Sequence, residues 1–218
     1  MLRAPDPNQN KVPVNLDMNR AVFLDRDGVI NALVYRSDEG TWDSPYALSE
    51  FRLLPRVASA IKLINQSGFL VIVASNQPGI AKAKCTLSFI EEIDKRLNRR
   101  LKRFGAHLDA INYCLHHPDG VIVPYAQICD CRKPKPGLLV KAAEEYNIAL
   151  NRSYMIGDSL VDVQAGQSAG CRTILVGAKN EIGDLMPTDR HLAADNLYEA
   201  VMEICREEQS DGDFSRFS

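Results

Sequence analysis

Two carboxylates one residue apart close the run Ala21-Val22-Phe23-Leu24-Asp25-Arg26-Asp27-Gly28. Such a pair in a tight turn holds a hard cation well, and an Asp stripped of water can attack phosphorus while its neighbour moves a proton. A turn that merely ends a strand, or a calcium loop, uses the same residue types. An EF-hand, however, needs an oxygen ligand near Val29, a glycine near Ile30 and a helix upstream, and none of these is present. Three later segments carry groups suited to phosphoryl chemistry. Ser75-Asn76-Gln77-Pro78-Gly79 offers a hydroxyl, two amides and glycine-relaxed backbone N–H groups to an oxyanion. Arg132-Lys133-Pro134 sets two cations before a helix that starts near Pro136-Gly137, because proline favours a helix's first turn, and lysine is a usual point charge for a phosphoryl group. Gly157-Asp158-Ser159-Leu160-Val161-Asp162 adds two further carboxylates.

A second constellation is Cys114-Leu115-His116-His117-Pro118, followed by Cys129-Asp130-Cys131. Three thiolates and an imidazole, from Cys114, His116, Cys129 and Cys131, make the closed tetrahedral set that structural zinc prefers, with His117 as an alternative to His116. No export signal is recognisable, which favours a metal over a disulfide here and implies a cytoplasmic setting. Cys85, Cys171 and Cys205 are scattered and read as core or incidental thiols.

The elements that must carry these groups alternate. Ala21–Leu24, Phe69–Ala74, Leu108–Cys114, Ser153–Ile156 and Cys171–Val176 are apolar strand candidates. Pro55–Gln66 has helical spacing, burying Val57, Ile61 and Ile64 before Ser67-Gly68 stops it. Thr86–Phe104 places Ile90, Ile93, Leu97, Leu101 and Phe104 on one face. Strands alternating with helices predict an α/β fold, a parallel sheet with right-handed crossovers and helices on both faces, with chemistry at the carboxyl ends of the strands.

Taken in order, the four segments resemble those of the haloacid dehalogenase superfamily of phosphatases, over residues 20–178. The metal loop running into Cys131-Arg132-Lys133-Pro134 narrows the resemblance to the branch of heptose bisphosphate and histidinol-phosphate phosphatases. That resemblance implies a Rossmann-like sheet of the haloacid dehalogenase type with little or no cap domain, and a Mg²⁺-dependent phosphomonoester hydrolase working through an aspartyl-phosphate. By position, Asp25 is then the nucleophile, Asp27 the general acid and base, and Ser75 and Lys133 the clamp on the phosphoryl group. Asp25, Asp27 and Asp158 fall to magnesium, with Asp162 supporting that site, and Arg26, Asn76, Gln77 and Arg132 to substrate. A heptose bisphosphate is the expected substrate, with histidinol phosphate next and a DNA end third. The chain departs from the branch in three places: Ser159 stands where lysine is common, Ala83 where glycine is common, and Asn31–Pro55 is longer. Its polar and aromatic groups, among them Tyr35, Arg36, Asp38, Glu39, Trp42 and Tyr46, are candidates to close over a sugar.

The 218 residues fit one phosphatase domain, 19–205, with the zinc loop at 114–131. Segments 1–18 and 206–218, rich in polar and charged residues, read as loose tails. With 26 basic and 28 acidic side chains the net charge is −2, which argues against a polyanionic partner. The basic stretch Lys95–Arg103 keeps helical apolar spacing and reads as a solvated face rather than a nucleic-acid contact. A monomer acting on a small phosphorylated sugar or metabolite, with neither nucleic acid nor membrane as partner, is the expectation.

Overall fold

Ala21–Leu24 is fully buried and pairs on both sides, so the rest of the chain is arranged around it in this computed structural model, which describes residues 18–177 and 191–213. In chain order the elements are β1 (Ala21–Leu24), β2 (Val34–Arg36), β3 (Thr41–Asp43), α1 (Val57–Gln66), β4 (Leu70–Asn76), α2 (Leu87–Arg103), β5 (Ala110–Cys114) and α3 (Gly137–Tyr146). After a 3₁₀ turn at Leu150–Arg152 come β6 (Tyr154–Gly157), α4 (Leu160–Ala169), β7 (Arg172–Val176), β8 (His191–Ala194) and α5 (Leu197–Asp213). Six strands form one sheet in the order β5-β4-β1-β6-β7-β8, with every pairing parallel. The chain builds outward from β1 through β4 to β5, then crosses back to lay β6 against the other side of β1. The reversal leaves a crevice at the carboxyl ends of these strands, where open α/β sheets bind ligands.

Strand alternation divides the core. Val22 and Leu24 face one layer with Val71, Val73 and Ile156, packed under α1, α2 and α5. Ala21 and Phe23 face the other with Ile72, Ala74 and Met155, under α3. Both layers are apolar, as a parallel sheet covered on two faces requires.

Thr86 caps α2 through Phe89 N, and Ile90, Ile93, Leu97 and Leu101 are buried as their spacing demands. Phe104 is not part of that face: it follows the last helical turn and is 60 % exposed, because the chain leaves the helix axis there toward Gly105 at φ +70°. The basic face of α2 stays at the surface apart from half-buried Arg96, which donates to Leu48 O. Ala83 adopts φ +56°, a left-handed conformation that costs about 1–2 kcal/mol with a side chain, which gives a physical sense to glycine at that position.

The segment after Asn31 folds into an antiparallel hairpin, β2–β3, in register Val34↔Asp43, Tyr35↔Trp42 and Arg36↔Thr41. α5 runs on to Asp213, so the chain beyond Arg206 is not the loose tail that its composition suggests. Glu207 accepts from Tyr154 Oη and Arg172, and Glu208 pairs with Arg20, which ties that charged turn to the sheet. Segment 1–17 and the final residues, 214–218, lie outside the described residues. Among the described residues no helix is long and apolar enough to cross a membrane.

Candidate active site

β1 ends at the crevice and delivers Asp25, whose backbone N–H still pairs with Ile156 O at 2.9 Å. β6 ends beside it and delivers Asp158, and the first turn of α4 brings Asp162. Oxygens of Asp25, Asp158 and Asp162 lie within 4.8 Å of one another and could hold a metal ion. Gly28, at φ +82°, makes this approach possible, since a Cβ there would sit 1.8 Å from Asp158 Oδ2. Lys133 enters from the segment before α3. Its Nζ donates to Asp25 Oδ1 at 2.8 Å and to Ala74 O at 2.8 Å, and it pairs with Asp162 Oδ1. At 3 % exposure the ammonium is dry; burial by itself would lower its pKa, yet the carboxylates of Asp25 and Asp162 raise it. Asp162 Oδ2 also accepts from Ser159 Oγ and N, closing a capping box on α4. Burial raises the pKa of Asp25. Burial, together with the charges of Asp25 and Asp162, pushes Asp158 up to about 7. The crevice therefore sets three carboxyl groups against the one ammonium of Lys133, which makes ionising all three costly.

Asp27 is not a member of that cluster, although the sequence places it among the magnesium ligands. Its Oδ1 accepts from Asn31 Nδ2 (2.7 Å) and Arg26 Nε (3.2 Å). Its Oδ2 accepts from Gln77 Nε2 (2.6 Å), Ser44 Oγ (2.8 Å) and Arg26 Nη2 (3.1 Å). Burial opposes ionisation, but Arg26, Gln77 and Asn31 outweigh it and lower the pKa. Arg26 and Gln77, expected at the substrate, turn inward instead. Arg26 is 1 % exposed, donates to Gln77 Oε1 at 2.6 Å and lies under Tyr113, whose hydroxyl donates to Asp94 at 2.6 Å. Asn76 also faces its own scaffold, exchanging bonds of 3.1 Å with the backbone N–H and C=O of Lys133. Ser75 is buried at the end of β4 within hydrogen-bonding reach of Asp25, and it accepts from Gln77 Nε2 at 3.1 Å.

The second constellation also converges. Cys114 ends β5; Cys129 and Cys131 return to it across the loop, with Sγ–Sγ separations of 3.5 Å (Cys114 to Cys129) and 3.3 Å (Cys131 to Cys129). His116 Nδ1 lies 3.4 Å from Cys131 Sγ, and the four donor atoms fall within 4.8 Å of one another. His117 is excluded: its Nδ1 accepts from Asp119 N, outside the cluster. The loop leans on the turn after β4, where Val121 N and Ile122 N donate to Ala81 O, and Arg132 Nη1 donates to His116 O at 3.3 Å. A metal bound here would therefore brace the segment that carries Lys133.

Above the crevice stands the hairpin. Arg36 clamps Glu50 and Ser44 O, while Lys84 holds Asp43 and Glu39. Tyr35 and Trp42 are exposed, with ring centroids 5.3 Å apart. Ser44 is the contact that motif spacing does not reveal. Its hydroxyl carries no local signal, and it meets Asp27 only because the hairpin folds back.

This geometry has known counterparts. Residues 130–200 match the HAD-hydrolase-like family model. The D-glycero-beta-D-manno-heptose-1,7-bisphosphate 7-phosphatase of Escherichia coli K12 is 38 % identical over 153 residues, covering 70 % of this chain and 76 % of that one. Its counterpart in Pasteurella multocida is 33 % identical over 188 residues, covering 86 % and 95 %. Among solved structures, the D,D-heptose 1,7-bisphosphate phosphatase of B. bronchiseptica, complexed with magnesium and phosphate, superposes with TM-score 0.72 at 29 % identity, covering 86 % of this chain and 99 % of that one. With the acidic crevice, the buried lysine and the Cys/His loop in place on the same parallel sheet, the chain belongs to the haloacid dehalogenase-like phosphatases, in the family of the heptose bisphosphate phosphatases.

Proposed function

We propose that the chain removes the 7-phosphate of D-glycero-D-manno-heptose 1,7-bisphosphate, with Asp25 as nucleophile and Asp27 as general acid and base. The observation that carries this reading is the convergence of Asp25, Asp158 and Lys133 in one dry crevice, together with relatives named for that reaction. Asp25 attacks phosphorus while Lys133 and Ser75 hold the phosphoryl oxygens, and Asp27 gives a proton to the departing sugar oxygen. Asp27 then takes a proton from the water that cleaves the aspartyl-phosphate, returning both groups to their starting state. Oxygen donors crowded until Asp158 is pushed up to about 7 suit Mg²⁺, which when bound neutralises the phosphoryl charge. Asp25 and Asp158 are assigned to that ion, while Asp162 serves Lys133.

Zinc is assigned to Cys114, His116, Cys129 and Cys131, because their sulfurs sit close to the ~3.8 Å edge of a tetrahedron with ~2.3 Å metal–sulfur bonds. Arg132, neighbour to Lys133, is assigned the substrate beyond the reacting group, since a guanidinium fork suits a second phosphate. Phosphate release from the heptose bisphosphate, histidinol phosphate and p-nitrophenyl phosphate tests the reading. The bisphosphate is expected to have the highest kcat/KM, Asp25→Asn to lose at least ~10⁴-fold in kcat on all three, and Arg132→Ala to penalise the bisphosphate most. Equal kcat/KM for the bisphosphate and histidinol phosphate overturns the substrate assignment, and an active Asp25→Asn overturns the mechanism.

A further inference from the structure

Arg26 and Asn31 reach Asp27 from its own turn, and Gln77 reaches it from the end of β4, so all three are fixed to the central sheet. Ser44 comes from elsewhere, just past β3 of the inserted hairpin, and donates to Oδ2 at 2.8 Å. It is gripped by both of its backbone groups. Ser44 O accepts from Arg36 Nη2 at 2.7 Å, and the same guanidinium clamps Glu50. Ser44 N donates to Asp43 Oδ1 at 2.8 Å, which also accepts from Tyr46 Oη at 2.8 Å, while Asp43 Oδ2 pairs with Lys84 at 2.9 Å. A loop that only covers substrate does not need one hydroxyl held this closely.

Terminal carboxyl torsions are broad and two-fold, so without this contact the Asp27 oxygens have one fewer restraint on the hairpin side.

Building on the reading of Asp27 as acid and base, we propose that Ser44 is a positioning residue that fixes the Asp27 carboxyl from the hairpin side, so that the hairpin takes part in proton delivery to the leaving oxygen. In the first step the P–O bond to the sugar breaks as the Asp27 proton moves to that oxygen and phosphorus bonds to Asp25. Ser44 keeps its own proton throughout.

The test is kcat and KM for wild type, Ser44→Ala and Ser44→Thr on the heptose bisphosphate, phenyl phosphate and p-nitrophenyl phosphate. Ser44→Ala is expected to lower kcat/KM, which reports only the steps through release of the leaving group, about tenfold on the first two, and to have little effect on kcat/KM for p-nitrophenyl phosphate, whose leaving group departs without a proton. Ser44→Thr, which keeps the hydroxyl, is expected to restore most of the loss. An equal loss of kcat/KM on all three substrates, or no rescue by threonine, overturns the proposal. If wild type hydrolyses both aryl phosphates but not the bisphosphate, the substrate assignment fails and the aryl pair alone decides on Ser44. Wild type inactive on all three overturns both.

Discussion

Lys133 carries its charge between Asp25 and Asp162 with almost no water around it. Removing one member of a buried ion pair leaves its partners desolvated and unpaired, which costs about 3–5 kcal/mol. Lys133→Ala is therefore expected to lose that much stability in urea unfolding without Mg²⁺, as well as activity, whereas Asp25→Asn, which leaves Lys133 paired with Asp162, should unfold close to wild type. An equal effect of the two on unfolding would contradict this account of the lysine. Asp25, Asp158 and Lys133 are legible in the sequence because each closes an apolar run or opens a helix, and that places them at one end of a parallel sheet. Arg26 is misread for a physical reason. A motif gives the charge of a residue but not its direction, and the position between two acids puts this arginine beneath the turn, against Tyr113 and Gln77. Ser44 and the Tyr113–Asp94 support of Arg26 are invisible for another reason, because neither contact has a local pattern to announce it.

Five of the six sheet strands are legible as apolar runs, since both of their faces are covered, whereas the short edge strand β8, His191–Ala194, has no such run and is not expected from the sequence. The β2–β3 hairpin is not legible either, because Tyr35 and Trp42 face solvent and its strands carry no buried alternation. Its hold is ionic. Glu50 titrates ordinarily near 4.5, but the Arg36 fork and the backbone N–H groups of Tyr46 and Ala47 hold it down at about 2. A carboxyl whose pKa is lower in the folded state contributes its full share above pH 4.5 and loses it as pH falls through 2. Protection of the amides across 34–50, taken relative to their intrinsic exchange rates at each pH, is expected to fall over that window before that of β1 or β4, and Glu50→Gln should remove this loss. In the Cys/His loop the reverse holds, because motif spacing announces the site and the fold only closes it. Cys129→Ser with Cys131→Ser should remove zinc from protein purified without chelator, as read by metal analysis, and raise KM more than it lowers kcat, because the loop that presents Arg132 and Lys133 loses its brace.

The parallel sheet gathers its acids at the carboxyl ends of its central strands, and the fold bears their mutual repulsion until a cation enters. Ligands that bind only the folded state stabilise it by about 2.7 kcal/mol at a hundred times Kd. Mg²⁺ is expected to raise the melting temperature in a concentration-dependent way that Asp158→Asn removes. Because Asp158 is pushed up to about 7, the ion must displace a proton below neutrality, so the rise at a given Mg²⁺ concentration should be larger at pH 8 than at pH 6. A rise independent of pH, or retained in Asp158→Asn, would place the ion elsewhere.

The hairpin also has an optical consequence. Trp42 is the chain's sole tryptophan, 66 % exposed on β3, two residues before Ser44 and 5.3 Å from the Tyr35 ring. All indole emission from this protein therefore originates at one strand above the crevice, from a ring bathed in solvent and fed by an adjacent phenol. The protein carries its own lamp, whose colour is set by how wet that strand is.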